Sequence, residues 1–171
     1  GVQTCALPIS LVVAGVDAGA NIAAGLAMVA RDRAGPLLAG QVLLSPMLDA
    51  RVATSSQREA RDGPVGCVCA DGWRAYLSRP ADALHPYAAP AQSQRQQGLP
   101  PALLLTADDD PLRDETRAHA ERLQQAGVPT QLHVLPAPTR LPMAYRDTLP
   151  RRLAQALREP IRTFQIGRAH V

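Results

Sequence analysis

The chain has 171 residues, 46% of them hydrophobic and 19% charged, with 18 basic residues against 15 acidic ones and a formal net charge of +3. That length supports one domain with a sizeable core. No apolar run reaches the length of a membrane-spanning helix, and the two signs of charge are interleaved, which excludes the basic stripe of a nucleic-acid binder.

Taken in chain order, the first feature is the pair of ends. "GVQTCALPI" (1–9) is the translation of GGAGTTCAGACGTGTGCTCTTCCGATC, a short-read sequencing adapter, and "IGRAHV" (166–171) is the translation of ATCGGAAGAGCACACGTC. The second string is the reverse complement of part of the first, a relation that two ends of a gene have no reason to show. Residues 1–9 and 166–171 are therefore expected to be adapter-derived, leaving 10–165 as the protein to interpret.

"LVVAG" (11–15) reads as a short buried strand, Gly15 and Gly19 as the small residues of a sharp turn, and Ala18 to Ala30 as a helix packed closely on a sheet. "QVLLSPML" (41–48) is a second buried strand. From Arg51 to Pro100 the pattern dissolves into sequence rich in Pro, Gln and Ser, with "ADGWRAYL" as a helix inside it. "PALLLTA" (101–107) is a third strand, followed after "DDDPLRD" by a helix from Glu115 to Ala126 that Gly127 closes. "TQLHVLP" (130–136) is a fourth strand, and "LPRRLAQALREP" (149–160) an amphipathic helix with Leu149, Leu153 and Leu157 on one stripe. Near-continuous apolar strands separated by helices predict an α/β fold, a mostly parallel sheet of about four strands flanked by helices.

The turn Gly15-Val16-Asp17-Ala18-Gly19 has the frame G-x-S-x-G, which aims a nucleophile from a strained strand-to-helix corner, but an aspartate stands at its centre. Asp108, Asp109 and Asp110 follow the third strand, where a carboxylate caps the next helix, sits in solvent, or serves as a catalytic acid. Asp114 and Glu115 read as helix-start residues. Cys67 and Cys69 form a lone C-x-C without a second pair or a nearby His, so two ordinary thiols are expected, with no metal and no cofactor. His85, His119 and His133 read as surface or strand histidines, and Trp73 and Tyr76 as packing residues in preference to the lining of an acyl pocket.

The series "VVAGxxAGAN", "LAGQVLLSPMLDAR", "DGWRAYL", "PYAAPA", "GLPPALLLTADDDPLRDE" and "AERLQQAGVPTQLHVLP" resembles the C-terminal half of a bacterial hormone-sensitive-lipase-like esterase of the α/β-hydrolase superfamily. In that family G-D-S-A-G carries the nucleophile, the first Asp of D-P-L-x-D-E is the acid, and an H-G-F-like stretch after the last strand carries the base. Carried over by position, the resemblance puts the nucleophile at Asp17, the acid at Asp110, the base at Arg140, and one oxyanion donor on the backbone of Ala18. Only the acid matches. Acyl transfer needs a hydroxyl nucleophile and a neutral imidazole held by a carboxylate, and the guanidinium of Arg cannot take up a proton near neutral pH.

The resemblance thus implies that residues 10–165 are the C-terminal part of an α/β-hydrolase domain, a fragment of a carboxylic-ester hydrolase that is inactive as written. The alternatives are a non-catalytic relative that binds a small apolar ligand, and a hydrolase with Asp17 as a carboxylate nucleophile, whose ester intermediate would still need a base for release. The implied ligand is a small acyl ester or apolar molecule, the implied location cytoplasmic. In the family's strand order "LVVAG" lies mid-sheet, so here it is expected to form an uncovered edge through which residues 11–15 pair with another chain.

Overall fold

The computed structural model describes residues 11–60, 64–146 and 149–166. The adapter reading of 1–9 and of nearly all of 166–171 falls outside them, as does the side chain of Cys67. Four strands, β1 (Leu11–Val16), β2 (Leu38–Leu44), β3 (Ala102–Ala107) and β4 (Thr130–Leu135), form one parallel sheet in the order β1-β2-β3-β4. Helices α1 (Ala18–Asp32), α2 (Ser55–Glu59), α3 (Pro64–Tyr76), α4 (Arg113–Gln125) and α5 (Arg151–Ile166) complete the architecture, with short 3-10 turns at 80–84, 90–92 and 143–146.

The central strands β2 and β3 are mostly apolar because both faces of the sheet are covered there. Successive side chains of a strand point to opposite faces, so Ala102 and Leu104 of β3 pack with Ala20, Ala23, Ala24, Ala27 and Met28 of α1 and with Leu123 of α4, while Leu103 and Leu105 pack with Leu157 and Phe164 of α5. The alanine-rich face of α1 is what lets that helix lie close to the sheet. Gly127, at φ +76°, closes the loop after α4 in a backbone conformation that glycine adopts without steric cost.

Most boundaries shift by one to three residues from the sequence reading, and the larger changes fall in β2, in α5 and in the excursion between β2 and β3. β2 begins at Leu38, where the pairing Leu11↔Leu38 and Val12↔Gly40 extends it toward β1, and stops at Leu44, because Ser45 takes a left-handed φ of 43° and Pro46 lacks a ladder donor. α5 runs on through Pro160 to Ile166, since the apolar stripe continues past Leu157 to Ile161 and Phe164 against the sheet. The excursion after β2 holds α2, started by a capping box in which Thr54 and Gln57 exchange bonds. Among the described residues β1 pairs with β2 alone, and Leu11 and Val12 of β1 and Ile22 and Leu26 of α1 are exposed.

Candidate active site

In a parallel sheet the loops at the carboxyl ends of the strands gather on one side, where open α/β folds place their ligands. Asp17 follows β1, Ser45 follows β2, Asp110 follows β3, and Arg140 and Tyr145 follow β4. Asp17 sits at φ 54°, ψ −121°, at the start of α1. Its N–H donates to the Leu44 carbonyl at 2.9 Å, and its own carbonyl accepts from Ala20 at 3.0 Å and from Asn21 and Met47 at 3.3 Å. Backbone bonds on both sides thus impose a conformation that a non-glycine residue rarely adopts. A Cβ on Gly15 would overlap the Gly19 carbonyl. Gly19 has open space around its Cα, so the close approach that makes this corner sharp falls on Gly15 and not, as the sequence suggests, on both glycines.

Asp110 is 1% exposed. One of its carboxylate oxygens accepts from Thr106 Oγ1 at 2.7 Å and the other from the Leu112 N–H at 2.8 Å. Burial pushes its pKa above the usual carboxylate value, against the hydroxyls of Ser45 and Thr106 and the Leu112 amide, which favour the charged form. Ser45 is fully buried, and its hydroxyl faces both Asp110 and the phenol of Tyr145 without a hydrogen bond of regular geometry to either. Burial raises the Tyr145 pKa, and the charges of Asp110 and Asp17 raise it further. Ser45, Asp110 and Tyr145 thus meet at the carboxyl ends of the strands, with the Asp17 charge acting on Tyr145. Sequence reasoning missed Ser45, whose signal was a Ser-Pro break inside an apolar run, and Tyr145, for which there was none.

Arg140 belongs to a loop tied to a different carboxylate. Asp109 accepts from Thr139 N–H at 2.7 Å, Thr139 Oγ1 at 2.6 Å and Arg140 N–H at 2.9 Å. Burial pushes Asp109 up, but these donors bring its pKa below the usual value. Arg140 is exposed, and none of the bonds to the Asp110 carboxylate comes from it or from a histidine. His119 is fully buried in α4 with both ring nitrogens unpartnered, and burial lowers its pKa to about 3. His133 is half-buried in β4, and His85 accepts from the Tyr87 N–H at 3.2 Å at the surface.

Glu115 is more than the helix-start residue the sequence suggests. It is 4% exposed and accepts from the N–H groups of Leu48 at 2.7 Å and Asp49 at 2.8 Å and from Gln57 Nε2 at 2.9 Å. It thereby fixes the loop after β2 to α4. Asp114 accepts from the Ser56 N–H at 2.8 Å. Trp73 is buried against Met47, Cys69, Ala89 and Leu112. It also lines a cleft of about 700 Å³ whose walls are apolar at Ala50, Val52, Leu77 and Pro80 and basic at Arg51 and Arg74, whereas Tyr76 is exposed. Among the described residues no three His, Cys, Asp or Glu side chains gather as metal ligands, and no helix is long and apolar enough to cross a membrane.

A family model described as the alpha/beta hydrolase fold matches residues 3–139. The chain belongs to this family. This α/β-hydrolase chain is 34% identical over 119 residues to an arylesterase of Saccharolobus solfataricus, which covers 68% of the chain and 39% of the relative. It is 36% identical over 132 residues to the carboxylesterase NlhH of Mycobacterium tuberculosis, covering 73% and 41% respectively. Among solved structures it is similar to EstE1, a thermophilic carboxylesterase cloned from a metagenomic library, with a TM-score of 0.79, 28% identity, and coverage of 90% of the chain and 53% of that structure. The chain spans about two fifths of the length of these curated relatives. Relatives of this kind make the lineage one of ester hydrolases.

Proposed function

We propose that this chain is part of a carboxylic-ester hydrolase whose catalytic positions are Asp17 for the nucleophile, Asp110 for the acid and Arg140 for the base, with the Ala18 amide as an oxyanion donor, and that it does not turn over esters as written. The observation that carries this reading is the arrangement around Asp110. A buried carboxylate is held ready by Thr106 and Leu112, yet the loop that should present an imidazole to it carries an exposed arginine. Without a base, no proton can leave a hydroxyl nucleophile or be taken from the water that would release a carboxylate ester.

The test is hydrolysis of short-chain nitrophenyl esters by the purified chain, with the expected rate equal to the buffer control. Saturable turnover that disappears on Asp17→Asn would replace this reading with a carboxylate nucleophile. Asp17→Ser combined with Arg140→His is expected to leave the chain silent, because Ala18 is the one oxyanion donor that the family resemblance places in this stretch, the others lying before it in the family, and the loss of one such donor already costs on the order of a hundredfold in rate. Joined to the upstream part of a close esterase relative, the same pair of substitutions is expected to restore turnover. A second reading, binding of a small apolar molecule without chemistry, is favoured by the cleft beside Trp73. Quenching of the single tryptophan by a saturating acyl ester or fatty alcohol would support it, and a flat titration would dismiss it.

A further inference from the structure

We propose that Asp17 is a self-modification site, at which the folded turn drives closure of a five-membered succinimide between the Asp17 side chain and the backbone nitrogen of Ala18. The ring consists of that nitrogen with the carbonyl carbon, Cα, Cβ and Cγ of Asp17, so it closes only when Cβ and the Ala18 nitrogen lie on the same side of the Cα–C bond. The Cβ of an L residue stands about 120° from its own nitrogen around that bond. A ψ of −121° therefore eclipses Cβ with the Ala18 nitrogen, leaving rotation of the side chain about Cα–Cβ as the remaining motion. Unfolded chains reach this alignment only transiently; here the bonds of the Asp17 amide and carbonyl hold it.

Two further features favour the reaction. Ala18 is the first residue of α1, where an amide has no intrahelical acceptor, and its N–H donates no hydrogen bond among the described residues. Ala18 and Gly19 are both exposed and Asp17 is half-buried with one carboxylate oxygen shielded, so water reaches the corner from the α1 side and the small side chain of Ala18 adds little bulk beside its nitrogen. In the step itself the nitrogen lone pair of Ala18 attacks Cγ of the protonated carboxyl group. The N–Cγ bond forms, the Cγ–OH bond breaks, and the hydroxyl departs with the amide proton as one water. Water then adds to either imide carbonyl. Breaking the N–Cγ bond returns aspartate, whereas breaking the bond from nitrogen to the main-chain carbonyl carbon leaves the chain running through Cγ as isoaspartate. No oxidant or co-reactant is needed. The serine at the centre of the G-x-S-x-G frame has no carboxyl group, so it cannot react in this way.

The chain carries its own comparator in Asp71-Gly72. Glycine is the least obstructing and most flexible neighbour, so in an unfolded chain Asp71 reacts faster than Asp17. In the fold Asp71 lies within α3, where a helical ψ near −42° rotates Cβ about 80° away from the next nitrogen. Folded protein, verified by far-ultraviolet circular dichroism, and protein in urea are incubated side by side, and isoaspartate is read at each site by peptide mapping and isoaspartyl-specific methylation. The expected result is an inversion: residue 17 exceeds residue 71 in the folded chain by roughly tenfold or more, the gain of a prealigned reactant over one that the helix holds out of alignment, and falls below it in urea. Asp17→Glu, which lengthens the ring by one carbon, should lose the signal at 17 and keep that at 71 in urea. A folded chain in which residue 17 reacts no faster than residue 71, or a yield at 17 that urea leaves unchanged, would overturn the proposal.

Discussion

Glu115 and His119 stand one turn apart on α4, both buried, and burial drives their pKa values in opposite directions. The carboxyl group rises from 4.5 to about 8, with the Leu48 and Asp49 amides opposing the shift, and the imidazole falls from 6.5 to about 3. The fold therefore favours the neutral form of each. Stability from Glu115 is fully present below pH 4.5 and lost as pH rises through about 8, whereas that from His119 is present above pH 6.5 and lost as pH falls toward 3. Between 4.5 and 6.5 the two slopes, each about 1.4 kcal/mol per pH unit for one proton, cancel. Thermal melts across pH should show a plateau there with a decline on either side. Glu115→Gln should flatten the alkaline decline and His119→Leu should soften the acid one, where Asp49, Asp109 and Asp114, all held below their usual values, still contribute. His119→Leu should also raise stability on the plateau by about 1–3 kcal/mol, because it removes a buried N–H with no acceptor. A melting curve for that variant no higher than the parent's would mean that water reaches the imidazole.

At the scale of the element, the corner between β1 and α1 separates two glycines that the sequence presents as equals. Gly15→Ala puts a methyl group onto the backbone of Gly19 and Ala20, which belongs to the first turn of α1 and cannot step aside. A loss of about 4 kcal/mol or more is expected. Gly19→Ala meets nothing, lies within a helix, and should stabilise by up to about 1 kcal/mol through helix propensity. Urea titrations of the two variants check the contrast, and similar midpoints would show that the corner relaxes. On the other face, Leu157→Ala in α5 removes a 4% exposed side chain packed among Leu103, Leu105 and Phe164 and should cost about 2–5 kcal/mol. The frame Gly15 to Gly19, the βα rhythm and the helix stop at Gly127 are all local patterns, and the sequence shows them plainly. The run of α5 through Pro160 was not legible, since it depends on which side chains the sheet presents, and the stop of β2 at Leu44 was marked only by the Ser45-Pro46 break inside an otherwise apolar run.

For the molecule as a whole the sheet edge decides behaviour. β1 offers one row of backbone donors and acceptors to no partner among the described strands, and the strand itself exposes Leu11 and Val12. Open, apolar edges pair with other chains, so the expressed chain is expected to be largely insoluble or an oligomer joined through residues 11–15. Val12→Lys, a charge on the exposed edge, should shift it toward monomer in light scattering. A monodisperse monomer in which the amides of 11–14 resist hydrogen exchange would refute the idea. The α/β class and the sharp turn around position 17 were legible in the sequence itself, because a parallel sheet buried on both faces writes long apolar runs and a strained corner demands small residues at short spacing, whereas the assignment of roles to positions 17, 110 and 140 rests on the resemblance to the family. Tertiary structure alone decided that Ser45 and Tyr145 come to face Asp110, that Asp109 holds the Arg140 loop, and that Glu115 clamps the turn after β2. Each of these depends on groups far apart in the chain meeting at the carboxyl ends of the strands, where burial and neighbouring charge, absent from any local pattern, set what a carboxylate does.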